Sequence, residues 1–107
     1  MIFIETSVFT RRVMKILSDE EYRELQSLLI ENPKAGPIIQ GSGGLRKIRW
    51  SSSGRGKRGG SRTIYYWAVA KQQIIMLMIF AKNEKDDLSA EQRKILKKIV
   101  ESEYNER

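Results

Sequence analysis

An α+β fold, with helices packed on a small and mostly antiparallel sheet in the order β-α-α-β-β-β-α, is what this sequence predicts. Three observations carry the expectation. Ser18 and Ser89 each open an S-x-x-E/Q signature of a helix start. Residues 7–17 repeat apolar side chains at helical spacing. Residues 45–50, 63–70 and 74–81 are alternating or continuously apolar runs of strand length.

Each element can be justified in order. Residues 2–4 read as a short opening strand. Along residues 7–17, Val8, Phe9, Val13, Ile16 and Leu17 recur around the basic positions Arg11, Arg12 and Lys15. Ser18-Asp19-Glu20-Glu21 is a capping box, in which the serine accepts an amide and the glutamate reaches back. The helix that starts there turns Tyr22, Leu25, Leu28 and Leu29 inward. It ends near Asn32-Pro33, because the residue before proline avoids helical geometry. With almost no linker, the two helices make a hairpin over one sheet face. Residues 33–44 hold both prolines and four of the eight glycines, so they form a loop.

Residues 45–50 put Arg46, Ile48 and Trp50 on one face and Leu45, Lys47 and Arg49 on the other. Residues 63–70 put Thr63, Tyr65, Trp67 and Val69 on one face and Ile64, Tyr66 and Ala68 on the other. Only one of those faces is expected beneath helices. Lys71-Gln72-Gln73 is a turn into residues 74–81, whose apolar character on both faces marks a strand covered on both sides or central in the sheet. Ser89-Ala90-Glu91-Gln92 opens the last helix. It should pack through Ala90, Ile95, Leu96, Ile99 and Val100, leaving Arg93, Lys94, Lys97 and Lys98 as a solvated face.

A chain of 107 residues is read as one domain, residues 1–107. Its longest apolar run is residues 74–81, well short of the ~18–20 residues of a membrane span. The first residues lack the charged-then-apolar order of a signal peptide, so a cytoplasmic protein with no membrane partner is expected. Cysteine and histidine are both absent. That removes disulfides, thiolate metal sites and the usual acid/base of neutral pH, so no metal or cofactor is expected.

Charge is confined to one window. Of 20 basic residues, seven lie in residues 41–67, which hold no acid; the other 13 are matched by the 13 acidic residues of the chain. The formal charge of +7 therefore belongs to Arg46, Lys47, Arg49, Arg55, Lys57, Arg58 and Arg62. A Gly/Ser-rich cationic tip, residues 51–61, lies between two strands. Glycines allow close approach of backbone to ligand, and guanidinium forks grip phosphate oxygens. A tip that is cationic only for solubility would mix signs. RNA or another phosphate ligand is the expected partner.

Two further stretches join it. Lys82-Asn83-Glu84-Lys85-Asp86-Asp87 has the composition of an ordinary strand-to-helix turn. If residues 63–70 and 74–81 pair as a hairpin, however, Arg62, Lys82 and the cationic tip share one end of the sheet. Trp50, Tyr65, Tyr66 and Trp67 could stack on unpaired bases or fill the core. Trp67 is expected in the core, and Tyr66 is the stacking candidate.

On GLRKIRW, the basic glycine-rich stretch, SRTIYYW and IFAKNEKDDLS, the chain resembles the RelE/HigB branch of bacterial toxin–antitoxin toxins, most closely the HigB-like ones. The resemblance spans nearly the whole length. It implies a RelE-like fold and a metal-independent endoribonuclease that enters the 70S ribosomal A site and cleaves mRNA by attack of a 2′-hydroxyl on the neighbouring phosphate. It also implies a HigA-like antitoxin that masks the toxin and represses the operon by binding operator DNA.

The same resemblance assigns roles. Arg62 matches the catalytic arginine on the scissile phosphate. Lys57 and Arg58 fall among the base or clamp positions, and Lys82 and Lys85 among those expected to protonate the leaving oxygen. Arg46, Lys47, Arg49, Arg55, Arg58, Tyr66 and Asn83 complete the expected RNA or ribosome contacts. Asn83 stands where RelE has a catalytic arginine, and Asp87-Leu88-Ser89 lacks the tyrosine RelE carries there. Clustered cations suit the missing histidine, since stabilising a five-coordinate phosphate is their natural task. Two other readings compete: a ParE-like gyrase poison without the nuclease cluster, and a non-catalytic RNA- or ribosome-binding module.

Overall fold

The computed structural model describes residues 1–50, 60–84 and 87–104. The chain forms β1 (Ile2–Glu5), α1 (Ser7–Ile16), α2 (Asp19–Glu31), β2 (Arg46–Trp50), β3 (Ser61–Ala68), β4 (Gln73–Ala81) and α3 (Ala90–Ile99), the last continued by a π-helical turn, Val100–Tyr104. Both capping boxes form as read. Ser18 Oγ accepts from Glu21 N–H at 3.1 Å, and Ser18 N–H donates to Glu21 Oε1 at 2.8 Å. Ser89 and Gln92 repeat the arrangement at 3.1 and 3.0 Å. Glu21 is buried because its carboxylate closes the box. The cap of α1, Thr6, is absent from the sequence reading. Its hydroxyl accepts from Phe9 N–H at 3.1 Å and donates to Leu77 O at 2.9 Å.

The strands form one sheet in the order β1-β4-β3-β2. β2–β3 and β3–β4 are antiparallel; β1 and β4 are parallel, with Ile2 opposite Gln73 and Ile4 opposite Ile75. A bulge between Ile64 and Tyr65 in the β3–β4 register leaves Leu77 unmatched. β1 accompanies β4 only as far as Met76. Beyond that point side chains close the outer edge of β4: Thr6 Oγ1 donates to Leu77 O, and Arg12 Nε to Ile79 O at 2.8 Å. Ala81 N–H in turn donates to Glu84 Oε1 at 2.9 Å.

The sheet separates two cores. On one face Phe9, Val13, Leu17, Leu25 and Leu29 of the helical hairpin meet Ile48, Tyr65, Ile74, Met76 and Ile79. On the other, Leu88, Leu96 and Val100 meet Leu45, Ile64, Ala68, Ile75, Leu77 and Phe80. From Ile74 onward β4 is apolar, and it is covered on both sides. β3 is covered on both sides too, which corrects the expectation of one helix-covered face. α3 buries less than its apolar stripe suggests: Leu96 and Val100 are inside, Ala90 is exposed, and Ile95 is 53% exposed. Among the described residues no helix is long and apolar enough to cross a membrane.

The loop before β2 is fixed from the hairpin side. Tyr65, fully buried, donates its hydroxyl proton to Pro33 O at 2.7 Å and accepts from Gly36 N–H at 2.9 Å. Burial pushes the Tyr65 phenol above its ordinary range. A Cβ at Gly36 would lie 2.9 Å from the Lys47 carbonyl carbon and oxygen, so only glycine lets this loop lie against β2.

Candidate nucleic-acid interface

The end of the sheet where β3 starts and β4 finishes is where the cations gather. Arg62, the second residue of β3, is the Cα partner of Arg49 on β2 and of Phe80 on β4. Alternation along β3 sets Arg62 on the face of Ile64 and Ala68, the α3 side. Arg62 is 4% exposed, and its Nη1 donates to Ser61 O at 3.4 Å. Arg49 is exposed beside it. Arg49 and Arg62 thus stand opposite one another on neighbouring strands.

The 81–84 turn closes against the same end. Ser61 pairs with Ala81, and Lys82 N–H donates to Gly60 O at 3.2 Å. The side chains of Lys82 and Asn83 are exposed, and Lys82 enters no ion pair among the described residues. The juxtaposition of Arg62 and Lys82 read from the sequence is therefore present. Such a row can bind a phosphate and gains most as charge builds on its oxygens.

Other expected contacts are placed differently. Arg46 lies on the hairpin face with its partner Tyr65, and its Nη1 donates to Gly36 O at 2.9 Å. The structure thus sets Arg46 apart from Arg62 and gives it a loop to hold. Lys47 shares the Arg62 face but is only 16% exposed in its side chain, with Nζ 3.4 Å from Asp87 Oδ2. That pair ties β2 to the start of α3. Tyr66 is half-buried against the α3-side core, and a Cβ at Gly44 would lie 3.2 Å from its ring. Trp50 and Trp67 pack against the hairpin-side core. Arg55, Lys57, Arg58 and Lys85 lie outside the described residues. Among the described residues no group of acids is placed to hold a metal ion.

One contributor was missed. Arg12, read only as a basic position on the first helix, reaches the 81–84 turn. Its Nη2 lies 2.8 and 2.9 Å from the two carboxylate oxygens of Glu84, while its Nε holds Ile79 O. The Ala81 amide and the Arg12 guanidinium together hold the Glu84 carboxyl below the usual range. The partners are 72 residues apart, and no local pattern announces them.

A family model described as the RelE toxin of the RelE/RelB toxin–antitoxin system matches residues 5–106. Among solved structures, the chain is similar to one in the intact E. coli RelBE toxin–antitoxin complex. That match has a TM-score of 0.57 at 18% identity and covers 75% of this chain and 94% of the other. It is similar in the same degree, TM-score 0.57 and 18% identity, to the free state of an E. coli RelE with two arginines replaced by alanine, covering 78% of this chain and 85% of that one.

Proposed function

The chain belongs to the RelE toxin family of toxin–antitoxin systems, and from that premise we propose that it is an endoribonuclease that cleaves mRNA in the ribosomal A site. The observation that carries this reading is the row Arg49–Arg62 with Lys82 on the adjoining turn: cations converge on one sheet end. In the reaction, a ribose 2′-oxygen attacks the adjacent phosphorus and loses its proton to a base. The 5′-oxygen leaves and takes a proton, and a cyclic phosphate remains. In this reading Arg62, shielded from water, holds the phosphate oxygens with its fork as their charge rises. Lys82, whose backbone N–H docks on Gly60 O beside the start of β3, is the lysine assigned to the leaving oxygen. Lys57 and Lys85 are retained as further basic groups of the same reaction.

A single domain over residues 1–107 and an antitoxin partner belong to the same proposal. The structural likeness to RelE in its complex supports the fold that such a partner would meet. The HigB-like assignment rests on GLRKIRW and SRTIYYW in the sequence. The gyrase-poison reading gives no role to the opposed arginines, and a pure binding module requires no shielded one.

The test is cleavage of mRNA on programmed ribosomes by wild type and Arg62→Ala. Removing one preorganised charge-stabilising donor should lower kcat by about 10²–10³-fold. Equal cleavage by the variant would remove Arg62 from the chemistry. DNA breaks and an SOS response without cut mRNA would favour gyrase.

A further inference from the structure

We propose that Arg12 is a positioning residue for Lys82, keeping the Glu84 carboxylate folded onto the sheet edge and away from that lysine. The inference rests on the nuclease reading above and deepens it. Glu84 is the one acid in the 81–84 turn and stands two residues from Lys82. A carboxylate so placed would ordinarily pair with the lysine and quench the cation that the RNA must meet. In this structure it is engaged three times over: both its oxygens meet Arg12 Nη2 at 2.8 and 2.9 Å, and Oε1 accepts Ala81 N–H at 2.9 Å.

Arg12 is itself oriented, because its Nε is bound to Ile79 O at 2.8 Å. A lysine at position 12 could supply charge but not this two-sided fork. The turn is closed by Glu84 N–H to Ala81 O at 3.0 Å and docked by Lys82 N–H to Gly60 O at 3.2 Å, next to Arg62. α1 therefore reaches across the β4 edge and sets both the position and the charge environment of Lys82. An exposed ion pair contributes little to stability, so its consequence should be read in catalysis.

Single-turnover cleavage of ribosome-bound mRNA by wild type, Arg12→Ala, Glu84→Gln and the double variant tests this, with thermal melts to confirm folding. Arg12→Ala should lower kcat about tenfold with KM within about twofold, since a misplaced group acts on the chemical step. Glu84→Gln should stay within about threefold of wild type, because the amide oxygen can still accept from Ala81. The double variant should recover most of the loss, because no carboxylate remains to be released. A role confined to holding structure predicts a double variant no better than Arg12→Ala, and that result overturns the inference. Should Arg12→Ala fail to fold, Arg12→Lys carries the same comparison, with a loss of about threefold that Glu84→Gln removes. Wild type that leaves ribosomal mRNA intact overturns the nuclease reading and this inference with it.

Discussion

Replacing Tyr65 by phenylalanine deletes one oxygen and leaves the ring in the hairpin-side core with Ile48, Ile74 and Met76. Two backbone groups then lose their partners: Pro33 O at 2.7 Å and Gly36 N–H at 2.9 Å. They are not equivalent. Pro33 is half-exposed, and its carbonyl can turn to water, so that bond is worth about 0.5–1.5 kcal/mol. Gly36 is buried against the Lys47 backbone and cannot move toward solvent, so its orphaned amide costs about 1–3 kcal/mol. Together the substitution should destabilise by about 2–4 kcal/mol.

Unfolding entropy of about 2.1 cal/mol/K per residue gives roughly 0.2 kcal/mol/K for 107 residues, so Tm should fall by roughly 10–20 °C. Circular dichroism melts and urea titrations of both proteins measure it. Cleavage at 25 °C should be preserved, because Tyr65 and Arg62 lie on opposite faces of β3. A Tm loss below about 3 °C would refute the reasoning, since it would mean that water reaches Gly36 once the hydroxyl is gone.

Two other outcomes are expected. Ribosome affinity should fall by about 50-fold between 50 and 200 mM salt if roughly four phosphates are contacted, and filter binding across that range would show it; a flat response would exclude a phosphate interface. Among the described residues Thr63 Oγ1 is buried without a hydrogen-bond partner, so Thr63→Val should raise stability by about 1 kcal/mol in urea titrations, and a loss of that size would mean the hydroxyl is satisfied.

The helices were legible because their start signals are local: Ser18 with Glu21 and Ser89 with Gln92 fix two of the three N-termini to the residue. The double-faced apolar character of residues 74–81 announced a strand between two layers. What could not be read was long-range. Strand alternation separated Arg46 from Lys47 and Arg49, but nothing local said that the Arg46 side would face Tyr65 and Gly36. The Lys47–Asp87 and Arg12–Glu84 pairs join residues 40 and 72 positions apart in sequence, and each side chain looks like an ordinary surface charge until the chain is folded. Ile95 was misjudged because helical spacing describes a stripe wider than the strip that α3 lays on the sheet.

β2 is the outermost strand opposite β1, and its exposed side has a consequence for how copies of this protein meet. Residues 37–39 cover its first half, through Lys47 N–H to Pro37 O at 3.1 Å and Ile39 N–H to Leu45 O at 2.8 Å. Among the described residues, the stretch from Ile48 to Trp50 has no strand beside it on that side. Unpaired strand borders are templates for self-pairing and fibre growth. Two such borders brought together would set Arg49 of one molecule near Arg49 of another. Like charge at that position keeps identical molecules apart. Trading Arg49 for an apolar side chain would therefore cost solubility.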